Sequence, residues 1–309
     1  MAELALSPVI IGPKDNPEKV ELPKVPVGEC AFHIVAQEKI VDGVCSDDFT
    51  IDKIKEFLIK STNVQQSDLK ESDDDQIIEI AKEALGCNSE SCIIEKNAFR
   101  DFIGHANAQK IRQRFKEAGP ANTNKWLNNS NIDNTIAQWK QMFPGFLHVP
   151  FQMSDFDKEN TELNEIDLAY EFTTNNYNCM GVVLNTDISS GSGIHWFCIF
   201  VDARNKDIKK HITIEVFDSA GNIPPSSVIR WVAKQRLALA NTFIGIKVED
   251  LVVTRQNKLQ FSNSECGVFS LWYIFCRLNK VPYSYFTKPG AATDEMMLKF
   301  RKYLFRSIE

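Results

Sequence analysis

The segment at 260–272, Q-F-S-N-S-E-C-G-V-F-S-L-W, constrains this chain more than any other. Val268, Leu271, Trp272 and Phe275 recur at i, i+3, i+4 and i+7, and Phe269, Tyr273 and Cys276 fill the neighbouring face. A helix that is apolar nearly all round is predicted to sit at the centre of a core. Ser264 or Asn263 is the expected N-cap, which puts Cys266 in the first turn. Unpaired N–H groups and the helix dipole favour a thiolate there. Gly267 removes a side chain beside the sulfur, so a substrate backbone has room to approach. A lone cysteine near a helix is usually buried and inert. That reading must also account for Gln260, His195 and Asp218.

His195 opens the run 194–201, I-H-W-F-C-I-F-V, directly after Gly191-Ser192-Gly193. Apart from the histidine this run is apolar on both faces, the mark of a central strand covered on both sides. Further strand-like runs are expected at 146–151, 180–184, 211–217 and 243–254. Helices are expected over 131–143, from Ser226/Ser227 to about 240, and over 293–305. Strands interleaved with helices indicate an α+β sandwich with a central, largely antiparallel sheet.

The first third has a different character. Residues 1–28 contain five prolines and no clear period, which predicts an extended or loosely attached arm. Helical patterns then follow at 51–60 behind Thr50, 73–85 ended by Gly86, 92–102, and 105–118 ended by Gly119. Asp73-Asp74-Asp75 suits a helix N-terminus. Residues 1–119 carry 15 Lys and Arg against 22 Asp and Glu, whereas residues 120–309 carry 20 against 19. The pattern predicts an all-α arm domain over 1–119 and a core over 120–309. An acidic first third disfavours nonspecific nucleic-acid binding and makes proteins the expected partners.

No apolar run approaches the roughly 18 residues of a membrane span, so no membrane insertion is expected. Met1-Ala2-Glu3-Leu4 lacks the basic start of a signal peptide, and Ala2 stands where myristoylation needs glycine. The eight cysteines have no disulfide-framework spacing, so all are expected to be reduced in an intracellular protein. Cys30, His33, Cys45, Cys87, Cys92 and His105 include zinc-ligand types, but no pair has a tight finger spacing. Structural thiols without metal are the expectation.

A nucleophilic cysteine needs a base, an orienter for that base, and donors for the oxyanion. His195, Asp218 and Gln260 are the candidates. Asp218 ends the run I-E-V-F-D, so neighbouring strands can present imidazole and carboxylate side by side, with Nδ1–H as the expected donor to Asp218. Gln260 lies close enough to Cys266 for its amide to share an oxyanion site with the Cys266 backbone N–H.

The order G-x-H-W, F-D-S, Q-x5-C-G resembles the ubiquitin-like-protein protease and adenovirus protease clan of cysteine peptidases. Within that clan it resembles a viral, SUMO-like branch that processes structural polyproteins. The matching segments include L-G-C-N-S-E-S-C (85–92), N-I-D-x-T-I-x-x-W (131–139), V-L-N-T-D (183–187), G-I-H-W-F-C-I-F-V-D-A-R (193–204), S-A-G-N (219–222), V-I-R-W (228–231), E-C-G-V-F-S-L (265–271) and T-D-E-M (293–296). They run from about residue 85 to the C-terminus, and the first 80 residues show no match.

The resemblance implies a papain-like, adenain-like core with His195 as base, Cys266 as nucleophile and Gln260 as oxyanion donor. The viral branch carries Asn where this chain has Asp218, and the wider clan more often carries Asp. Asn263 replaces a Gln of the branch's nucleophile loop and Asn185 matches its V-L-N-T-D, and the resemblance implies that both contact substrate. Trp126-Leu127-Asn128 looks instead like the W-L-N of cellular SUMO proteases, where the tryptophan helps enclose substrate. Alternation points Trp196 away from the face of His195, but the flexible glycines before it let the indole lean over the cleft, opposite Trp126.

The implied activity is a cysteine endopeptidase cleaving viral structural polyproteins after Gly-Gly during virion maturation, in host cytoplasm and virion. The enzyme would act as a monomer without cofactor. A SUMO or ubiquitin-like-protein deconjugase shares the chemistry. An acyltransferase or an inactive binding module on the same fold belongs to a different class.

Overall fold

The computed structural model describes residues 9–10, 22–26, 28–38, 43–254 and 257–307. Most of the proline-rich stretch 1–28 therefore lies outside the described residues. Contacts divide the chain into two compact units. One comprises Met1–Val9, Val25–Ala121 and Tyr303–Glu309, the other Ile10–Lys24 and Asn122–Lys302. A short strand pair, β1 (Val9–Ile10) and β2 (Lys24–Val25), precedes the helices.

The first unit is helical: α1 (Phe32–Glu38), α2 (Asp48–Ser61), α3 (Gln66–Lys70), α4 (Asp74–Leu85), α5 (Glu90–Glu95), α6 (Asn97–Ile103) and α7 (His105–Arg112). Asp73 caps α4 in a capping box with Gln76, and Gly86 ends it at φ 61°. The helix expected over 92–102 is broken, because Lys96 at φ −60° and ψ 125° closes α5 and opens α6. The helix expected over 105–118 stops at Arg112, after which Phe115 bridges to Cys30 and Ala118 to Arg306. Ile54, Phe57, Ile77, Ile93, Phe99 and Ile111 build its core.

The expectation of eight reduced cysteines is overturned here. Cys30 and Cys45 form a disulfide with Cα atoms 5.0 Å apart, and Cys87 and Cys92 form another at 5.6 Å. Both distances fall within the range that a disulfide spans. Folding brings each pair together: a short turn between α4 and α5 joins Cys87 to Cys92, and the Cys30–Phe115 bridge holds Cys30 in place. Those four sulfurs serve each other. Cys179, Cys198, Cys266 and Cys276 are free and buried.

The second unit is a helix-covered sheet. After α8 (Asn129–Met142) come β3 (Phe146–His148) and β4 (Gln152–Met153), then α9 (Glu162–Glu165) and α10 (Leu168–Thr173). Next are β5 (Cys179–Asn185), β6 (Trp196–Asp202), β7 (His211–Phe217), α11 (Ser226–Thr242) and β8 (Lys247–Val252). Helices α12 (Cys266–Leu278), α13 (Tyr283–Phe286) and α14 (Asp294–Leu304) complete the order. The strands run β3-β5-β6-β7-β8, with β4 also paired to β5. The architecture is α+β and the sheet is mixed: β5-β6-β7 is antiparallel, while β3, β4 and β8 pair parallel. Parallel neighbours need a crossover. Helices α9 and α10 lie between β4 and β5, and α11 lies between β7 and β8.

Alternation along β6 sends Phe197, Ile199 and Val201 into a cluster with Leu168, Phe172, Val228 and Trp231 of α10 and α11. Trp196, Cys198 and Phe200 face the other side, where α12 lies. Every residue of α12 is buried, as its all-round apolar pattern requires. Phe275 packs on Trp139 at 5.1 Å, Trp272 on Phe300 at 4.9 Å, and Tyr273 stacks on Phe217 at 4.3 Å. Each such side chain contributes about 1.5–3 kcal/mol by leaving water. Below them Arg277 donates to Glu215 at 2.7 and 2.8 Å and to Asp202 at 2.8 Å, with Tyr273 Oη on Glu215 at 2.7 Å. This buried network ties the end of α12 to β6 and β7. Among the described residues no helix is long and apolar enough to cross a membrane.

Candidate active site

Three chain ends converge at one edge of the sheet's α12 face. His195 immediately precedes β6, Asp218 immediately follows β7, and Cys266 is the first residue of α12. Because β6 and β7 are antiparallel with Cys198 opposite Phe217, the start of one strand lies beside the end of the other. His195 therefore stands just outside the strand, where a polar side chain need not be buried in the sheet.

The approach to His195 is built by backbone capture. Asn185 Oδ1 accepts the N–H of Ile194 at 2.9 Å and of Asp187 at 3.0 Å, and Asp187 Oδ2 accepts that of Gly193 at 3.0 Å. Gly193 has φ 89°, in the region that favours glycine. Asn185, read from the sequence as a substrate contact, is 2% exposed and spends its oxygen on this loop.

His195 Nε2 lies 2.8 Å from Asp218 Oδ1, so the expected Nδ1 contact is replaced by one through Nε2. The Cys266 thiol interacts with the same imidazole and supports its charged form. Burial lowers the His195 pKa, but hydrogen bonds to Asp218 and Cys266, and negative charge on both, outweigh it and raise it to about 9. Asp218 is itself fixed: Oδ1 accepts the Ala220 N–H at 2.8 Å, and the Asp218 N–H reaches Thr254 Oγ1 at 3.2 Å.

Gln260 is 5% exposed. Its Nε2 donates to Ser262 O at 2.9 Å and its Oε1 accepts from Ser219 Oγ at 2.7 Å. A carbonyl only accepts, so Ser262 O fixes which end of the amide is nitrogen. Ser219, next to Asp218, enters the sequence reading only as a letter of the F-D-S and S-A-G-N matches, with no role assigned.

The helix start differs from expectation. Neither Ser264 nor Asn263 caps α12. Glu265 occupies the N-cap position without a side-chain cap bond and turns its carboxylate to Arg301. Asn263 is exposed on the loop.

Trp196 and Trp126 are linked through Leu127. Trp196 is 5% exposed and donates its indole N–H to Leu127 O at 3.1 Å, while the neighbouring Trp126 is 51% exposed. A methyl group added at Gly267 would meet Trp196 Cδ1 and Leu127 Cδ1, each at 3.2 Å. Glycine beside the candidate nucleophile thus lets the indole and Leu127 close over the helix start. Asn128 caps α8 in a capping box with Asn131, which anchors the Trp126-Leu127 segment from behind.

The other free thiols are unlike Cys266 in surroundings. Burial pushes Cys179 up to about 12, and Cys198 and Cys276 well above the usual range. Among the described residues no group of three His, Cys, Asp or Glu side chains is arranged to hold a metal ion. A groove of about 870 Å³ between α11 and β8 is lined by Ile223, Val228 and Leu251 and includes no candidate catalytic group.

Residues 173–309 match the model of the Ulp1 protease family, C-terminal catalytic domain. The SUMO-1 cysteine protease of African swine fever virus is 40% identical over 240 residues, covering 73% of this chain and 85% of that protein. The crystal structure of the African swine fever virus protease superposes with a TM-score of 0.71 at 34% identity. It covers 91% of this chain and 96% of that one. The chain accordingly belongs to the Ulp1 family of cysteine proteases, together with the African swine fever virus enzyme.

Proposed function

We propose that this chain is a cysteine endopeptidase that cleaves viral structural polyproteins after Gly-Gly, with Cys266, His195 and Asp218 as its catalytic triad. The observation that carries the reading is the 2.8 Å contact between Asp218 Oδ1 and His195 Nε2, on an imidazole whose charge Cys266 also favours, with Cys266 at the start of a helix whose second residue is glycine.

In this reading Cys266 Sγ attacks the carbonyl carbon of the glycine before the scissile bond, and the carbonyl oxygen takes the charge. The Cys266 backbone N–H and the Gln260 N–H not used by Ser262 receive that oxyanion. Imidazolium His195 gives its proton to the leaving amine as the C–N bond breaks, which leaves a thioester. Water then attacks the thioester, His195 takes the water's proton, and the acid product leaves as Cys266 is restored. Asp218 holds the ring and its charge throughout. Trp196 and Trp126 flank the path to Cys266 and admit only residues without a β-carbon.

The helical region 1–119 is read as the part that positions the polyprotein, with the catalytic groups in 120–309. All groups of the site come from one chain, which fits a monomer. Action in host cytoplasm and virion is part of the same proposal, for a chain whose relative is a viral protein. A second reading, release of SUMO-like proteins, is favoured by the name of that same relative.

The test is mass spectrometry of products from candidate viral polyproteins and from a SUMO precursor, with Cys266→Ala as control. New C-termini ending in Gly-Gly from the polyproteins support the first reading. Cleavage of the SUMO precursor alone supports the second. No cleavage of either overturns both.

A further inference from the structure

Helix α14 reaches the nucleophile loop with two charged side chains placed two turns apart. At its start, Asp294 Oδ2 accepts the N–H groups of Phe261 at 3.0 Å and Ser262 at 2.9 Å. Further along, Arg301 is fully buried and directs its guanidinium at the nucleophile loop and at Lys125. Nε and Nη2 donate to Glu265 Oε2 at 3.0 and 2.9 Å, Nη2 to Ser264 O at 3.2 Å, and Nη1 to Lys125 O at 2.7 Å. Glu265 Oε1 accepts from Ser264 Oγ at 2.9 Å.

These acceptors sit on the two segments that flank Cys266. Ser264 and Glu265 lead directly into it. Lys125 leads into Trp126 and Leu127, and Leu127 O holds the indole of Trp196. Residues 261–265 have no strand or helix ladder to fix their backbone, so side chains from α14 do it instead. A buried ion pair is weak evidence for stability, since an apolar pair of similar volume often serves as well. What an apolar pair lacks is direction. A planar guanidinium presents rigid N–H vectors on three separate nitrogens and so reaches carbonyls of two segments while pairing with Glu265, a spread that the single nitrogen of a lysine does not match.

We propose that Arg301 is a positioning residue for proteolysis. With Asp294 it clamps the 261–265 backbone and the 125–127 segment in register, so that the Cys266 N–H and the Gln260 amide converge on one oxyanion site beside the Trp196 wall. This rests on the endopeptidase reading above. Displacements of about 1 Å at a reacting centre cost on the order of 10²-fold in rate.

The experiment measures kcat and KM on a Gly-Gly peptide for wild type, Arg301→Lys and the double variant Arg301→Met/Glu265→Leu. Active enzyme is counted by titration with a Gly-Gly electrophilic probe, and melting temperature is recorded alongside. The double variant replaces the buried pair by apolar groups and is expected to melt near wild type, with kcat per titrated site lower by about 10²-fold. Arg301→Lys keeps the charge opposite Glu265 but loses the two carbonyl contacts, so its kcat per site is expected to fall by about tenfold or more.

A merely structural arginine would change melting temperature and the amount of active enzyme, leaving kcat per site alone. A folded double variant with wild-type kcat per site overturns the proposal. If that variant does not fold, Arg301→Lys with wild-type kcat per site overturns it equally, and a lowered value supports it. A wild type that cleaves no Gly-Gly substrate sinks the endopeptidase reading itself, a separate result.

Discussion

Asp218 Oδ1 receives two donors at once, His195 Nε2 at 2.8 Å and the Ala220 N–H at 2.8 Å. An asparagine at 218 can still offer one oxygen to both, whereas alanine offers none. Asp218→Asn is expected to keep measurable activity, and Asp218→Ala to fall at least about tenfold further, 1.4 kcal/mol in transition-state binding. Steady-state kinetics on both variants, each shown folded by circular dichroism, provides the check. Equal losses would argue against an orienting role.

The same contacts set a pH dependence. The folded His195 pKa is raised to about 9 by Asp218 and Cys266 in spite of burial. The unfolded value is near 6.5. A raised pKa stabilises the fold fully below the unfolded value, and that contribution is lost as pH rises through about 9. Wild type should therefore lose melting temperature relative to His195→Gln between about pH 6.5 and 9, with the difference levelling off above. Asp218→Asn should move that loss to lower pH. A flat difference across this range would show that the imidazolium is not held.

Selective chemistry at one sulfur is also expected. Cys30, Cys45, Cys87 and Cys92 are paired, and burial pushes the thiols of Cys179, Cys198 and Cys276 up. Cys266 alone among the free cysteines contacts an imidazole. Iodoacetamide at neutral pH without reductant should label Cys266 first, and His195→Ala should slow that labelling by more than about tenfold. Peptide mapping that finds Cys198 or Cys276 modified first would contradict it.

Much of this arrangement was legible because it follows from local pattern. The all-round apolar run after Cys266 could only be a buried helix, and I-H-W-F-C-I-F-V could only be a central strand. Asp73 and Gly86 fixed the ends of α4. What stayed hidden depended on partners distant in sequence. Arg301 lies 36 residues from Glu265, and nothing around it marks it as facing the nucleophile loop. The same holds for Cys30 and Cys45, whose spacing follows no framework, and for Glu265, which stands at the N-cap position with its carboxylate on Arg301 rather than on the helix. Lys96 broke a helix that periodicity alone continues. Which nitrogen His195 shows to Asp218 depends on the orientation of the ring, which no one-dimensional pattern encodes.

The ion network below α12 makes a stability prediction independent of catalysis. Glu215 is fully buried and Arg277 is its only cationic partner within bonding distance among the described residues. Asp202 keeps Arg204 at 2.7 Å if Arg277 is removed, but Glu215 does not have a second cation. Arg277→Met should cost about 3–5 kcal/mol in urea unfolding. Adding Glu215→Leu should recover a large part of it. A single variant as stable as wild type would mean that the hydroxyls of Thr213 and Tyr273, which donate to Glu215 at 2.6 and 2.7 Å, satisfy it unaided.

Specificity for glycine is the prediction on which the proposed substrate depends. The Trp196 ring is fixed at its nitrogen by Leu127 O at 3.1 Å and meets Phe151 edge to face at 6.1 Å. On its other side, a methyl at Gly267 would already be 3.2 Å from Cδ1. The wall therefore has little freedom to retreat from a substrate side chain near Cys266. Gly→Ala before the scissile bond should cost at least about 10²-fold in kcat/KM, about 2.7 kcal/mol. Trp196→Ala would leave a large cavity in a buried site, so Trp196→Phe is the better probe. It keeps an aromatic face but loses the bond to Leu127 O, and should lower activity while narrowing the gap between paired Gly-Gly and Gly-Ala peptides. Gly267→Ala should act through the same wall, displacing Trp196 and Leu127 by a few tenths of an ångström and lowering kcat/KM on Gly-Gly. Wild-type enzyme that cleaves both peptides equally well would show that the indole does not bound the substrate path, and the Gly-Gly assignment would fall with it.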